Sequence, residues 1–307
     1  MHPVLADADR SKIVCPLCNL PLNWNPERAS CECCAQSFPI VRGAWDFRIK
    51  RPAFLNALTA RWAAGQADLE ETTASRTGGS YQDFLKEIDS VREIYTQVYP
   101  LHGSVLDVGG NDGRLRHFLP AESHYLSVDP FLDVFRFVAA SPNLVKAYPR
   151  LAEPCPFVCA FAEYLPIRSS SFEFVHMRSV VDHFADPFLG LIEARRVLVN
   201  GGRLIVGVHV TGGRSTWAHS SSRVGQIIAH ARFKIHQDGF RRAVLDGAKR
   251  VAGLTKEDAH MWHPTYEELV KLIECTGFQM EKEHWQKPPF AHVVYIMASK
   301  TSGRSPI

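Results

Sequence analysis

The sequence predicts an α/β protein: a doubly wound, mostly parallel sheet, with a small cysteine-rich module in front of it and a helical insertion near its end. Two observations carry this reading. Beyond Gly103, short apolar runs alternate with segments of helical periodicity, the order that buries a parallel sheet between layers of helices. Ahead of that region, five of the eight cysteines crowd between positions 15 and 34. No run approaches the length of about 18 apolar residues that spans a membrane. The opening MHPVLADADRSK lacks the apolar stretch of a secretory signal. The expected location is therefore the cytoplasm, where thiols stay reduced and clustered cysteines point to metal rather than disulfides.

Taken in order, the first element is the cysteine module. Cys15-Pro-Leu-Cys18 is followed by Cys31-Glu-Cys-Cys34. A C-x2-C turn is tight enough to aim two thiolates at one ion, and two such turns complete the tetrahedral shell of a structural zinc. Cys15, Cys18, Cys31 and Cys34 are the expected ligands, and Cys33 is left out because it breaks the two-residue spacing. The competing reading is a module that folds without metal. A full four-cysteine shell leaves no open position, so this zinc would be structural, and it would stabilise a module too small to bury much core.

Residues 50–80 show weak periodicity and a Gly78-Gly79 pair, and are read as a linker with some helix. From Tyr81, the residues Phe84, Leu85, Ile88, Val91, Tyr95 and Val98 recur at helical spacing, and Pro100 and Gly103 end that helix. The strands that follow are expected at Ser104–Val108, Tyr125–Val128, Phe157–Phe161, Phe172–Met177 and Arg203–Val208. Helices are expected at Asp112–Leu119, Pro130–Ala139 and Pro187–Val199, and an antiparallel hairpin from Phe278–Trp285 and His292–Ser299 closes the sheet.

The segment Val105-Leu-Asp-Val-Gly-Gly-Asn-Asp-Gly113 lies where the first strand turns toward a helix. Glycines at such a turn let the backbone approach a ligand. Asp129 ends the next strand, where an acidic side chain accepts hydrogen bonds from both hydroxyls of a ribose. The competing role for Asp129 is a helix N-cap ahead of Pro130. Together the two features predict a nucleoside site.

The wider pattern narrows the class. Acid-x-Gly-x-x-x-Gly, with Asp107, Gly109 and Gly113, resembles motif I of class I S-adenosylmethionine (SAM)-dependent methyltransferases. Ala162-Glu-Tyr-Leu-Pro-Ile167, Ser171-Phe-Glu-Phe-Val175 and Ala194 to Arg203 resemble the later motifs of the type 11 branch. The resemblance covers residues 103–210 and implies a Rossmann-like, seven-stranded sheet with a short loop, not a helix, between its third and fourth strands. It implies that Asp107, Gly109 and Gly110 cradle the methionine end of SAM, with Asn111 and Gly113 completing the turn. It further places Asp129 and Pro130 at the ribose and Phe161, Ala162 and Glu163 around the adenine, and turns Arg178 toward the donor methyl. Asn111 replaces the usual glycine, and Asn tolerates left-handed backbone better than most residues. Phe161 replaces a common Asp, exchanging a hydrogen bond for stacking. At the front, Phe38-Pro-Ile-Val-Arg-Gly-Ala-Trp-Asp-Phe47 resembles the closing element of the small zinc-ribbon domain that serves some methyltransferases as an activator subunit and is fused to others; that likeness covers about residues 11–49.

The division that follows is a zinc-ribbon module over 1–49, a linker and helix over 50–102, and a SAM-binding domain over 103–307. Methyl transfer is an in-line displacement that needs alignment, and a base when the acceptor is a hydroxyl or acidic nitrogen. His183, His260 and His263 are the candidates. Packing beside the cofactor competes for His183, and a surface pair without function for the other two. Residues 212–256 read as a two-helix lid, with nine Lys or Arg against two Asp. A solvated basic surface explains most of them, but the excess favours phosphate-bearing or glycosidic small acceptors, or RNA. An rRNA guanine methyltransferase and an inactive SAM-binding regulator or partner subunit are the alternatives. The sequence does not fix the oligomeric state.

Overall fold

The computed structural model describes residues 3–49, 56–214, 260–287 and 292–301. The expected lid falls outside these residues, apart from positions 212–214.

Five short strands come first: β1 (Pro3–Val4), β2 (Asn23–Trp24), β3 (Arg28–Cys31), β4 (Gln36–Val41) and β5 (Ala44–Asp46). The sheet proper consists of β6 (Ser104–Val108), β7 (His124–Val128), β8 (Cys155–Cys159), β9 (Phe172–Arg178), β10 (Leu198–His209), β11 (Phe278–Trp285) and β12 (Val293–Lys300). These seven are ordered β11-β12-β10-β9-β6-β7-β8. Strands β6 to β10 run parallel to their neighbours, and β12 is antiparallel to both β10 and β11. This is a Rossmann-like, doubly wound sheet, closed by the expected hairpin. Its middle strands are apolar on both faces, as parallel strands covered by helices must be: Val105, Leu106, Val175, Leu204, Ile205 and Val206 are fully buried. Gly207 interrupts β10 because the ring of Tyr295 lies across it; a Cβ there would stand 2.5 Å from that ring.

The sheet continues past β8 into the front module. Strand β5 pairs parallel to β8, and β4, β3 and β2 follow antiparallel. Strand β1 pairs with β8 as well, at Cys155 and Pro156. Further contacts fasten the two parts: the Phe47 amide donates to the Cys159 carbonyl at 2.7 Å, and the carboxylate of Asp9 meets His124 Nε2 at 2.6 Å. Trp24 stands edge-on to Trp45 with centroids 4.8 Å apart, and Phe38 packs on Phe47 at 5.1 Å. Leu22, Phe38, Trp45 and Phe47 share one buried cluster with the middle of the main sheet.

The helices are α1 (Asp7–Arg10), α2 (Asn56–Thr77), α3 (Tyr81–Glu93), α4 (Val134–Ala139), α5 (Pro142–Ala147), α6 (Pro187–Val197) and α7 (Tyr266–Cys275). Helix α3 begins on a reciprocal cap between Ser80 and Asp83, and α7 on the cap of Thr265 and Glu268 that the sequence indicated. Several elements differ from expectation. The helix expected over Asp112–Leu119 is a 3-10 turn, Arg114–Phe118, because Gly113 before it is left-handed at φ +80° and Pro120 stops it. The helix expected from Pro130 starts at Val134, since the Asp129 side chain turns the chain back by accepting from the Phe131 amide. The helix from Tyr81 becomes a π turn over Ile94–Val98. Helix α2 is 22 residues long where a linker with some helix was expected. Between β8 and β9 lies only a 3-10 turn, Ala162–Tyr164, as the motifs implied.

Phe47 joins the module to the sheet and is fully buried. Phe47→Ala is expected to cost about 3–5 kcal/mol in urea unfolding. A cost below about 1 kcal/mol would show that the module is not packed on the sheet.

Candidate active site

The carboxyl ends of β6 and β7 lie side by side, which brings the glycine-rich turn against Asp129. The turn is shaped by exclusion. Gly109 has φ +70°, and a Cβ there would lie 2.2 Å from Val180; at Gly110 it would lie 2.5 Å from Ser127 Oγ and 2.8 Å from the Asp107 carboxylate. Asn111 occupies the left-handed region at φ +49°, as its residue type allows. Its amide donates to Asp129 Oδ2 at 3.0 Å, while the Phe131 amide donates to Oδ1 at 2.8 Å. Burial pushes the Asp129 carboxyl up to about 7, against the pull of those two amides. Gly113 lines no cavity; its part is steric, since a Cβ would meet Cys155 Sγ at 2.9 Å.

Asp107 is buried beneath the turn. Its Oδ1 lies 2.7 Å from His176 Nδ1, and its Oδ2 accepts from the Tyr125 hydroxyl at 2.7 Å. With Nδ1 donating to the carboxylate, His176 Nε2 is the acceptor for Tyr95 Oη, 2.8 Å away. Tyr95 comes from the π turn after α3, a distortion that often marks functional positions.

Two cavities open around this core. The first, about 240 Å³, is lined by Asp107, Gly109 to Asp112, Tyr95, His176, Tyr148 and the pair Glu87 and Arg114. The second, about 250 Å³, is lined by Asp129, Pro130, Phe161, Ala162, Glu163, Val180 and His183. Both are bounded by Thr73, Gly109, Asn111, Arg178 and Ser179. The Arg178 guanidinium makes no hydrogen bond or ion pair among the described residues. Phe161 meets Trp62 edge-on at 5.1 Å. Glu163 is buried, and its Oε1 accepts from the amides of Ala185 and Asp186 at 2.8 and 3.3 Å, so this oxygen braces the loop before α6.

His260 and His263 line neither cavity but stand behind His183. The rings of His183 and His260 stack at 4.4 Å, and His263 lies 5.4 Å from His260. Asp182 sits between the first two, with an oxygen 3.9 Å from His183 Nε2 and another 3.5 Å from His260 Nε2. The structure therefore places the expected cofactor residues other than Gly113 around two adjoining cavities at the ends of β6, β7 and β8, with His183 on the second cavity and His260 and His263 behind it.

Trp62, Gln66, Leu69, Glu70 and Thr73 of α2 line the second cavity, and the sequence reading did not single them out. Their spacing is helical, but the face they form is mixed and turns toward the cavity, so a search for apolar periodicity passes it by. His176 was also missed; its signal is a polar residue in a strand otherwise destined for the core.

At the other end of the molecule, the Sγ atoms of Cys15, Cys18, Cys31 and Cys34 lie within 4.8 Å of one another, and Cys33 is exposed. Four zinc–sulfur bonds of about 2.3 Å would set the sulfurs about 3.8 Å apart. The donor set and spacing are compatible with a zinc ribbon.

Residues 106–206 match the model of a family described as a methyltransferase domain, which supports a SAM-dependent methyltransferase. No curated protein matches the chain. Among solved structures it is similar to the 1,6-didemethyltoxoflavin-N1-methyltransferase of Burkholderia thailandensis, solved with S-adenosylhomocysteine, at 15% identity over 92% of this chain and 99% of that one, TM-score 0.49. It is also similar to a SAM-dependent methyltransferase of Thermotoga maritima, at 19% identity over 78% and 100%, TM-score 0.46. A third is the complex of the Haloferax volcanii Trm112 methyltransferase activator with a methyltransferase, at 12% identity over 76% and 97%, TM-score 0.48. Among the described residues, no helix is long and apolar enough to cross a membrane.

Because folding raises the Asp129 pKa from the ordinary 3.8 to about 7, the folded chain holds this proton more tightly than the unfolded chain does. Its contribution to stability is full below about pH 4 and is lost as the pH rises toward 7. Asp129→Asn is therefore expected to flatten the fall in unfolding free energy across that window. The measurement is urea denaturation of both chains from pH 4.5 to 7.5, and parallel curves would contradict the assignment.

Proposed function

We propose that this chain transfers the methyl group of SAM to a small or medium-sized acceptor that carries a phosphate or a sugar. The observation that carries the reading is the juxtaposition of the glycine turn with Asp129 at adjacent strand ends, with a cavity on either side. In this reading Asp107 and Gly109 to Asn111 hold the methionine end, Asp129 and Pro130 the ribose, and Phe161, Ala162 and Glu163 the adenine. Arg178, which bounds both cavities, faces the reacting methyl. Bound there, SAM would supply an electrophilic methyl to the acceptor, with S-adenosylhomocysteine and the acceptor's proton as the other products. His183 lines the acceptor side, with His260 and His263 behind it. These three are the groups placed to manage that proton.

The front module belongs to the same proposal. Its likeness to an activator subunit, its four gathered thiols and its strand pairing with β8 support a structural zinc ribbon fused where other methyltransferases recruit a separate chain. We place its boundary near residue 49 and that of the catalytic domain near 103. The basic excess of residues 212–256 supports an anionic or glycosylated acceptor. The cytoplasm is the compartment that suits reduced thiols.

Asp129→Ala removes a partner of two ribose hydroxyls. It is expected to weaken S-adenosylhomocysteine binding about 10- to 100-fold, read by calorimetry. With methyl-labelled SAM and a cell extract, label is expected in the small-molecule or lipid fraction and absent with Asp129→Ala. Label in RNA would replace the acceptor class with an RNA base. Binding of S-adenosylhomocysteine without label in any fraction would replace the enzyme with a regulator.

A further inference from the structure

We propose that Asp182, His183 and His260 form a binding site for one divalent transition-metal ion at the rim of the second cavity, distinct from the four-cysteine site. The ligand atoms come from two places in the chain. Asp182 and His183 lie on the 3-10 turn after β9, and His260 lies on the segment leading to α7. One oxygen or nitrogen of each falls within 4.8 Å of the others. Backbone hydrogen bonds fasten the two segments: the amides of Met261 and Trp262 donate to the Asp182 carbonyl at 2.8 and 3.0 Å. The side chains are thus held near one another without having to bond to one another.

They do not pair well. At 3.9 and 3.5 Å, neither imidazole nitrogen reaches ordinary hydrogen-bond distance from the carboxylate. The Asp182 side chain is only 6% exposed, and its Oδ1 is buried with no hydrogen-bond partner among the described residues. A buried carboxylate oxygen without a donor is costly, and a cation is the partner that would relieve it. An ion with bonds of about 2.0–2.2 Å would draw three such atoms to about 3–3.5 Å from one another, a contraction that side-chain rotation supplies.

The donor set defines the class of ion. Two imidazoles and one carboxylate suit zinc, manganese, iron(II) or cobalt(II), whereas calcium and magnesium prefer oxygen alone. Three protein ligands also leave coordination positions open, unlike the closed shell of four thiolates. His183 lines the second cavity, so the ligand that would fill an open position is an oxygen of a molecule bound there. That last step rests on the methyl-transfer reading and deepens it: His183 and His260 then hold the ion, His263 is left to manage the proton, and the acceptor carries a hydroxyl or phosphate oxygen next to the methylated atom. The metal site itself does not depend on it.

The test uses the full chain, free of any polyhistidine tag, with its cysteine site filled with zinc. Cobalt(II) is titrated in and followed by calorimetry and visible absorption. One cobalt per chain is expected, without the sulfur-to-cobalt charge-transfer band that marks thiolate ligands. Asp182→Asn and His260→Ala are expected to weaken it about 100-fold or more, with circular dichroism unchanged. His260 is 41% exposed, so its variant decides the matter should the Asp182 variant fail to fold. No thiolate-free cobalt on the wild-type chain, or equal affinity in His260→Ala, overturns the site. S-adenosylhomocysteine binding is measured on the same samples. Its absence alongside bound cobalt would overturn the methyl-transfer reading and leave the metal site standing.

Discussion

The hydrogen bond from the Asn111 amide to the Asp129 carboxylate ties together everything around the site. It links the turn after β6 to the end of β7, beside the Gly109 amide, which donates to the Val128 carbonyl at 2.7 Å. For the amide to point there, the turn must be left-handed at Asn111 and glycine at 109 and 110, where Val180, Ser127 and Asp107 leave no room for a side chain. The Phe131 amide completes the hold on Asp129 and delays the start of α4 by bending the chain first. A short stretch of backbone thereby fixes two buried carboxylates, Asp107 and Asp129, at the floor of adjoining cavities. The cost is visible in Asp129, whose proton is retained toward neutral pH because burial outweighs two amide donors.

The second constraint is the open edge of the sheet. Strand β8 would end the parallel array with unpaired amides, a surface that invites aggregation. The chain covers it twice from the N-terminal side, with β1 near its start and β5 near its end. The cysteine module gains as much as it gives. Its aromatic residues Trp24, Phe38, Trp45 and Phe47 are too few for an independent core, yet they join the cluster that fills the main sheet. Four gathered thiols at one end and strand pairing at the other are two fixed points for one small unit.

Much of this was legible in the sequence, and the reasons can be given residue by residue. Strands β6 and β9 were legible because Val105, Leu106 and Val108, and Phe174, Val175 and Met177, put apolar side chains on both faces. The cap of Thr265 and Glu268 was legible because it is a local reciprocal bond between neighbours. The glycine turn and Asp129 were legible because steric exclusion allows few residue types there. Helix α2 was not, since its cavity-lining positions are mixed in character and answer to the site rather than to a core. Nor was the link of Tyr95, His176 and Asp107, whose members are far apart in sequence and meet only once the sheet has formed. The 3-10 turn at Arg114–Phe118 escaped because its cause, the left-handed Gly113 and the stop at Pro120, outweighs the helical propensity between them.

The charges around the two cavities suggest why such a site tolerates its own strain. Asp107 is held from beneath by His176 and Tyr125, which orient its carboxylate. Asp129 is held only by amides, and Arg178 stands at the junction with no acceptor among the described residues. A ligand that offers hydroxyls to Asp129 would satisfy it, and the buried position of this carboxyl makes those bonds stronger than they would be in water. In the methyl-transfer reading SAM offers its two ribose hydroxyls to Asp129, while Arg178 faces its reacting methyl. The buried carboxyl that costs the fold stability is then the one that selects the cofactor, and binding and stability are linked through it.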